Sequence, residues 1–578
     1  MLKRTFTAMC FGLLLASCGN NAKQNTSPKT GERIKADQIG YEVNSAKIAI
    51  IPADSTSDKF EIYDLNKQAV VYTGVTSDPE TWEFSGTKVK KADFSDFNTE
   101  GLYILQCEGA QDSYAFAIGR DIYDDLANKA MKTYYYARVG EEITKEHGGA
   151  YARPAAHPDD KIKVHKSAAG PKRKENEIIS STGGWYDAGD YGKYIVNSSI
   201  TVWEILNAIE LYPQYAKKQN LNIPESNNAL PDILDETLVN LRWMLTMQDP
   251  NDGGVYHKLT ALGFNGMIMP HEDKDERYVI GKSTTAALDF AATCAKAYRV
   301  LEPYKADLPG FRDTLLKAAE DAFKWAKKNP EQPFAKNPEG VFTGQYDDVT
   351  IRDEFTWAAL EMYLTTGEKK YLKQITEEDF AFKTPAWDST TALGVASVLN
   401  SPDNSEKFEP EFYKFMKDGF IELANQYLRS YERSGYATPL ASFPWGSNSV
   451  AANQGLVLIT AYRVTGNTKY LEAAQADLHY ILGRNPLDYC YVTGFGSNPV
   501  KNPHDRRSVA DGVKNPVPGY LAGGPNATGG HDVPDSLYKY STPAMRYVDD
   551  SRSYTTNEIA INWNSALVFL VYAIENEK

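Results

Sequence analysis

Between Ile34 and about Gly119, apolar and polar residues alternate in short runs at 47–51, 59–63, 101–105 and 113–118, with Gly, Asp, Asn and Ser between them. Alternate side chains of a strand face opposite sides, so these runs predict a small antiparallel β-sandwich. After Tyr123 the period lengthens. Segments 124–138, 200–211, 231–248, 283–301, 311–328, 353–366, 411–430, 448–464, 469–482 and 557–576 carry apolar residues at helical spacing. With weaker segments, about a dozen helices are expected. Long loops rich in Gly, Pro, Asp and Tyr separate them. Hairpins of helices with large loops at one end predict an α/α toroid, in which helices hold the site and loops make it.

The N-terminus changes the picture. Lys3 and Arg4 precede the apolar run 8–15, which ends in Leu15-Ala16-Ser17-Cys18. A short charged region and a short apolar region form an export signal, too short to span a membrane as a mature helix. The tetrapeptide resembles a bacterial lipobox, in which Cys18 is lipidated. The chain therefore divides into a signal (1–18), a polar tether (19–33), the sandwich (34–119) and a helical domain (120–578). Lipid anchoring in the outer membrane, at the cell surface or the periplasmic face, is the expected location. Apart from Cys10 and Cys18, the cysteines are Cys107, Cys294 and Cys490, whose wide spacing gives neither a disulfide framework nor a metal motif. The net charge of −14 excludes a nucleic-acid backbone as partner, and the basic stretch 161–174 reads as a solvated loop. The 37 tyrosines suit a ligand with polar edges and apolar faces, such as a sugar.

Two constellations carry candidate chemistry. The loop 183–194 places Asp187 and Asp190 three apart among Gly183, Gly184, Gly189, Gly192 and aromatic residues. Two such carboxylates can hold one water between them, although a turn or a calcium loop is an equal reading of the spacing. Near the C-terminus, Asn557 as a helix cap would put Glu558 in a first turn. There the helix dipole favours the carboxylate, so a general acid would need burial against Trp563 and Tyr554. Read alone, the segment favours a helix-start glutamate with no catalytic role. His504 and Arg506 lie between, followed by Gly523-Gly524-Pro525-Asn526.

Taken in order, Trp445-Gly446-Ser447-Asn448, Tyr480-Ile481-Leu482-Gly483-Arg484-Asn485-Pro486, Val492-Thr493-Gly494-Phe495-Gly496, the His504/Arg506 segment, the Gly-Gly-Pro-Asn turn and Asn557-Glu558 resemble glycoside hydrolase family nine. The Asp187/Asp190 loop resembles that family's first catalytic loop. Asp37-Gln38-Ile39-Gly40-Tyr41 and Asp93-Phe94-Ser95 look like the immunoglobulin-like domain often fused ahead of it. The resemblance implies a mainly α protein, an (α/α)6 barrel, that cleaves β-1,4-glucans with inversion. It further implies Asp190 as base, Asp187 holding the water and Glu558 as acid, with His504 and Arg506 gripping the sugar. The family segment reads Pro-His-His-Arg; here Asp505 takes the place of the second His. Trp563, Trp445, His257 and Tyr554 fall where subsite contacts are expected, and core packing is an equal reading for each Trp.

No cofactor is implied for catalysis. Relatives that hold zinc use an Arg-Cys-Gly motif and a Cys-His pair, which here read Arg138-Val139-Gly140 and Ala156-His157, so no zinc is expected. The run 343–348 with Asp353, Glu354 and Asp388 resembles a calcium loop, and oxygen ligands on a Gly turn suit a structural Ca2+; helix capping is the other reading of Asp353 and Glu354. The expected partner is a β-glucan polymer or oligosaccharide, with xyloglucan and mixed-linkage glucan ahead of cellulose, acted on by a monomer that meets the membrane only through its lipid. An exo-acting β-glucosidase or glucosaminidase and a glycan-binding lipoprotein without catalysis are the alternatives.

Overall fold

The computed structural model describes residues 31–529 and 532–577. The export signal, Cys18 and the tether up to residue 30 lie outside the described residues. Two sheets form first. One has five strands in the order Gly40–Glu42, Phe116–Gly119, Gly101–Cys107, Lys59–Asp64, Ala69–Val75; the other has three, Ile48–Pro52, Thr87–Asp93, Glu80–Trp82. Inward-facing Ile51, Phe60, Ile62, Ala92, Phe94, Tyr103, Leu105 and Phe116 fill the space between them. The sandwich is not wholly antiparallel. Gly40–Glu42 runs parallel to Phe116–Gly119, because the first strand reaches the sheet edge with the rest of the unit between it and its partner.

Beyond Tyr123 the chain is helical. Among the described residues eleven helices reach nine residues or more. Ile195–Leu211, Thr284–Val300, Arg352–Thr366, Thr391–Leu399, Ser447–Thr465 and Ile561–Asn576 pack side by side into a closed inner ring. These helices are buried on nearly every face, the expected property of a helix with neighbours all round. Outer helices Asp124–Ala137, Asp232–Thr246, Phe311–Lys328, Pro410–Arg433 and Thr468–Ile481 cover them; Phe311–Lys328 and Pro410–Arg433 bury a single stripe, as Leu315, Ala318, Ala319, Ala322 and Ala326 do in the former, while loops and the sandwich side leave the others more deeply buried. The sixth outer position, between Thr366 and Thr391, holds the one-turn segments Leu372–Gln374 and Glu377–Asp379. Six inner helices with an outer layer make an (α/α)6 barrel. Among the described residues no helix is long and apolar enough to cross a membrane.

The chain enters each inner helix from an outer layer through a loop, so the long loops collect where the inner helices begin. Three departures from the sequence pattern matter there. The helix expected from residue 200 begins at Ile195, because Ile195 and Val196 are buried and Lys193–Tyr194 pair as a short strand with Lys258 and Leu259. The helix expected over 557–576 is broken into Tyr554–Asn557, an extended Glu558-Ile559-Ala560 and Ile561–Asn576. A five-stranded sheet on the loop face, ordered Ile178–Ile179, Ile162–Val164, Tyr278–Lys282, Tyr256–Thr260, Lys193–Tyr194, has strands too short and scattered to be read from periodicity.

Candidate active site

The loop 183–194 is shaped by its glycines. Gly183 and Gly184 have φ near +80°, which suits glycine. A Cβ on Gly189 would lie 2.2 Å from the His504 carbonyl oxygen, so only glycine lets the two segments touch. Hydrogen bonds then stitch three segments edge to edge. Ala188 bridges Ala560, and His504 bridges Glu558. The Ile561 N–H donates to the Asp187 carbonyl at 2.9 Å, and the His504 N–H to the Asn557 carbonyl at 2.8 Å. Residues more than 300 positions apart in sequence thereby share one floor.

Asp187 is buried, and both its oxygens accept: Oδ1 from Asn197 Nδ2 and Oδ2 from the Tyr346 hydroxyl, each at 2.6 Å. Burial and then the Asp190 carboxylate push it up to about 8, against these two donors. On Asp190, Oδ2 accepts from the Tyr194 hydroxyl at 3.1 Å and the Gly192 N–H at 3.2 Å, leaving Oδ1 for a water. Behind Tyr194 lies Lys258, buried, its ammonium donating to Asn337, Thr343 and Gly344. Burial drops Lys258 to about 7, with Asp190 acting in the opposite direction.

Glu558 is not in the first turn of a helix. Its backbone is extended, with φ −68° and ψ 161°, and its carbonyl accepts from the Gly523 N–H at 2.8 Å. A helical Glu558 would lose the bridge to His504, which is why the helix starts later. The residue as a whole is half-buried. Burial first, then the Asp190 and Asp187 carboxylates, hold it well above the usual range, while Arg506 and the Gly189 N–H pull the other way.

His504 Nδ1 lies 2.7 Å from the Ser551 carbonyl, which can only accept. The proton is therefore on Nδ1, and in the neutral ring favoured by burial Nε2 is an acceptor. Arg506 spends Nη1 on the Gly189 carbonyl (2.7 Å) and Nε on the Asn265 carbonyl (3.0 Å), and its guanidinium lies 5.3 Å from the Phe264 ring. It ties the acidic loop to a neighbouring loop. Asp505 faces inward, capping Arg506–Ala510 through Ser508 and pairing Arg507 at 2.9 Å, so its charge does not enter the cleft.

The aromatic residues divide. Trp445 is 48 % exposed and Tyr554 41 %; their rings lie 5.6 Å apart, and Tyr554 stands 5.9 Å from His504, forming a line toward Glu558. Trp563 is half-buried beneath Gly446 and Gly523, either of which would strike it with a Cβ. His257 is a correction. It is fully buried, stacked on Phe334 at 3.8 Å and hydrogen-bonded to Ser283 and the Gln345 carbonyl, so no sugar reaches it. Tyr346, Asn197, Tyr194, Lys258 and Phe264 carry no sequence signal of their own; Tyr346 sits in the run that resembles a calcium loop.

The expected calcium ligands do not converge on one point. Asp353 Oδ2 accepts the Thr390 N–H at 3.0 Å, and Asp388 is exposed. Glu354 is instead buried beside Asp289, Asp348 and Asp353; burial first, and then these like charges, hold it well above the usual range. Both oxygens of Glu354, both of Asp289, Oδ2 of Asp348 and Oδ1 of Asp353 are buried without hydrogen-bond partners. Elsewhere, one carboxylate oxygen each of Asp121, Asp124 and Glu575 lie within 4.8 Å of one another. Cys107, Cys294 and Cys490 are buried and free.

Comparison with known proteins gives the same organisation. Residues 123–571 match the family model described as glycosyl hydrolase family 9, and residues 29–112 that of a cellulase N-terminal ig-like domain. A xyloglucan-specific endo-β-1,4-glucanase of Bacteroides ovatus is 40% identical over 563 residues, covering 95% of each chain. Endoglucanase D of Acetivibrio thermocellus is 35% identical over 567 residues, covering 96% of this chain and 85% of its own. Among solved structures, one described as Bacteroides ovatus GH9 superposes with a TM-score of 0.86 at 39% identity, covering 94% of this chain and 98% of that one.

Proposed function

The chain belongs to glycosyl hydrolase family 9, and from that premise we propose that it cuts the β-1,4-glucan backbone of xyloglucan internally, with inversion at the anomeric carbon. The observation that carries the reading is the meeting of an Asp187/Asp190 pair with a raised Glu558 across one hydrogen-bonded floor. Inversion needs a base that activates water on one face of the sugar and an acid that protonates the leaving oxygen on the other. Asp190 offers a free Oδ1 to that water, and Asp187 is held by Asn197 and Tyr346 to share it. Glu558, kept protonated by burial and by its two carboxylate neighbours, is the acid. His504 Nε2 accepts from a sugar hydroxyl, while the exposed rings of Trp445, Tyr554 and Phe264 offer faces for stacking. The test is product size from a panel of soluble xyloglucan, mixed-linkage glucan and carboxymethyl cellulose. Oligosaccharides released early from xyloglucan support the reading. Monosaccharide as the first product indicates exo action and overturns it.

Calcium, as a structural ion, fits the Asp289/Asp348/Asp353/Glu354 cluster, because six buried oxygens without partners need protons or a cation. Asp388 stands at the exposed edge, within electrostatic reach of Asp347 and Asp348. No step of the reaction passes through such an ion. Val139 and Ala156 offer no sulfur where zinc-holding relatives have cysteine, so the reading includes no zinc. It also places the enzyme on the membrane through a lipid at Cys18. Cys18→Ala should then move the protein from the membrane fraction to the soluble one; unchanged fractionation would refute the anchor.

A further inference from the structure

We propose that Asp159 is a positioning residue for the catalytic loop, acting through Lys193 and Arg277. The inference rests on the assignment of Asp187 and Asp190 to the water side of the reaction. Asp159 is 4 % exposed and lies outside the cleft floor. Its Oδ2 pairs with Lys193 Nζ at 2.7 Å, and its Oδ1 with Arg277 Nε at 2.7 Å. Each cation reaches on to the backbone of the loop. Lys193 Nζ donates to the Gly183 carbonyl at 2.8 Å and the Ser181 carbonyl at 3.2 Å. Arg277 Nη1 donates to the Tyr191 carbonyl at 2.8 Å. The Ser181 N–H, in turn, donates to the Asp159 backbone carbonyl at 2.8 Å.

One carboxylate thus holds both ends of the segment that carries Asp187 and Asp190. The entry at 181–183 hangs from Lys193, and the exit at 191 hangs from Arg277. Asp159 joins the two cations, adding a side-chain brace to the Asp187 N–H to Gly192 carbonyl bond (3.0 Å) that closes the segment from within. Neighbouring contacts support the same segment: the Tyr191 hydroxyl donates to the Ile268 carbonyl at 2.5 Å, and His157 joins the Tyr186 hydroxyl (2.8 Å) to Asp273 (3.2 Å).

A buried ion triad is a weak source of stability, since desolvation offsets most of the attraction; its value lies in fixing one arrangement. Here the arrangement fixed is that of two carboxylates sharing a water. Misplacing reacting groups by about 1 Å can cost on the order of 100-fold in rate. The side chains of Asp159, Lys193 and Arg277 need touch no sugar to act in this way.

The test uses the full chain with Lys193→Met and Asp159→Asn. Lys193→Met keeps the Asp159–Arg277 pair and releases only the loop entry, so it folds even where Asp159→Asn, which strands two buried cations, does not. For folded Lys193→Met on soluble xyloglucan, kcat should fall about 10- to 100-fold with KM within about threefold of wild type. Amide hydrogen exchange of residues 183–192 should speed up while exchange in the inner helices stays unchanged. The exchange readout is independent of activity: an inactive wild type refutes the proposed function, whereas faster exchange confined to 183–192 still supports the anchor. A folded Lys193→Met with wild-type kcat overturns the proposal, as does loss of activity that only follows global unfolding.

Discussion

Glu558→Gln isolates the acid from the rest of the site. Glutamine keeps the shape of the side chain and removes the proton. The structure sets the direction of the Glu558 shift, and general acid catalysis sets the magnitude of the loss. An ordinary glutamic acid with a pKa of about 4.3 would be only about 2% protonated at pH 6. Burial, then the Asp190 and Asp187 carboxylates, hold Glu558 well above that range, the direction a general acid needs. Proton donation itself contributes about 10²- to 10⁴-fold. On xyloglucan, whose leaving group is a sugar hydroxyl, Glu558→Gln should therefore lose about 10²- to 10⁴-fold in kcat. A 2,4-dinitrophenyl cello-oligosaccharide departs as a weakly basic phenolate and needs no proton, so the same variant should lose less than about 10-fold there. Asp190→Asn should fail on both substrates, because water must be activated in either case. The assay is steady-state release of reducing ends beside release of dinitrophenolate. Equal losses on the two substrates would refute Glu558 as the acid, as would more than about a tenth of wild-type rate on xyloglucan.

Two further outcomes follow from the same geometry. The sugar first released from a β-linked substrate should be the α-anomer, followed by NMR before mutarotation; a β-anomer, or a glycosyl ester trapped on an aspartate, would end the inverting assignment. Calcium should raise the melting temperature more at pH 8 than at pH 5. Asp289 and Glu354 are raised well above their ordinary values, so the stability they contribute without an ion is full below about pH 4 and is lost as pH rises through their folded values. A bound cation offsets that loss by stabilising only the folded state, and Asp289→Asn with Glu354→Gln should remove the calcium response. A calcium shift of equal size at both pH values, or one retained in the double variant, would refute the ligand set.

The helical ring was largely legible because its physics is local. Phe311–Lys328 buries one stripe and exposes the rest, and that stripe is written at three- and four-residue spacing. The floor of the site was not legible, because no local rule sets it. Glu558 follows Asn557, a good cap, and precedes an apolar helix, so propensity favours a first turn; pairing with His504 and Gly523 overrides it. His257 failed for a related reason. It lies in a short strand, Tyr256–Thr260, that is buried on both faces, and Phe334, brought in from 77 positions away, covers its ring. Asp187 and Asp190 stood out because glycine and aromatic residues crowd around them in sequence as well as in space. Their donors Tyr346 and Asn197 come from another loop and from an inner helix. Distant partners of this kind leave no periodic trace.

The two crowded groups of carboxyls in the barrel are separated by what becomes of their oxygens. In the cleft, fixed donors meet the Asp187/Asp190 pair, two on Asp187 against the burial that raises it and two on Asp190, while burial and that pair favour the proton on Glu558. That is the division of labour acid–base chemistry requires, since proton and charge must sit on different groups at one pH. Around Glu354 the oxygens of Asp289 and Glu354 have no donors, and burial denies them water. Such groups are neutral or metal-bound, because an uncompensated buried carboxylate is too costly to persist. Proximity of acids alone would have treated the two groups alike. Donor satisfaction separates the first, with its fixed donors, from the second, which holds either protons or the calcium proposed above. The same test ranks the Asp121/Asp124/Glu575 group lower, since Asp124 already pairs with Lys218 at 2.9 Å and accepts from Tyr215 at 2.7 Å.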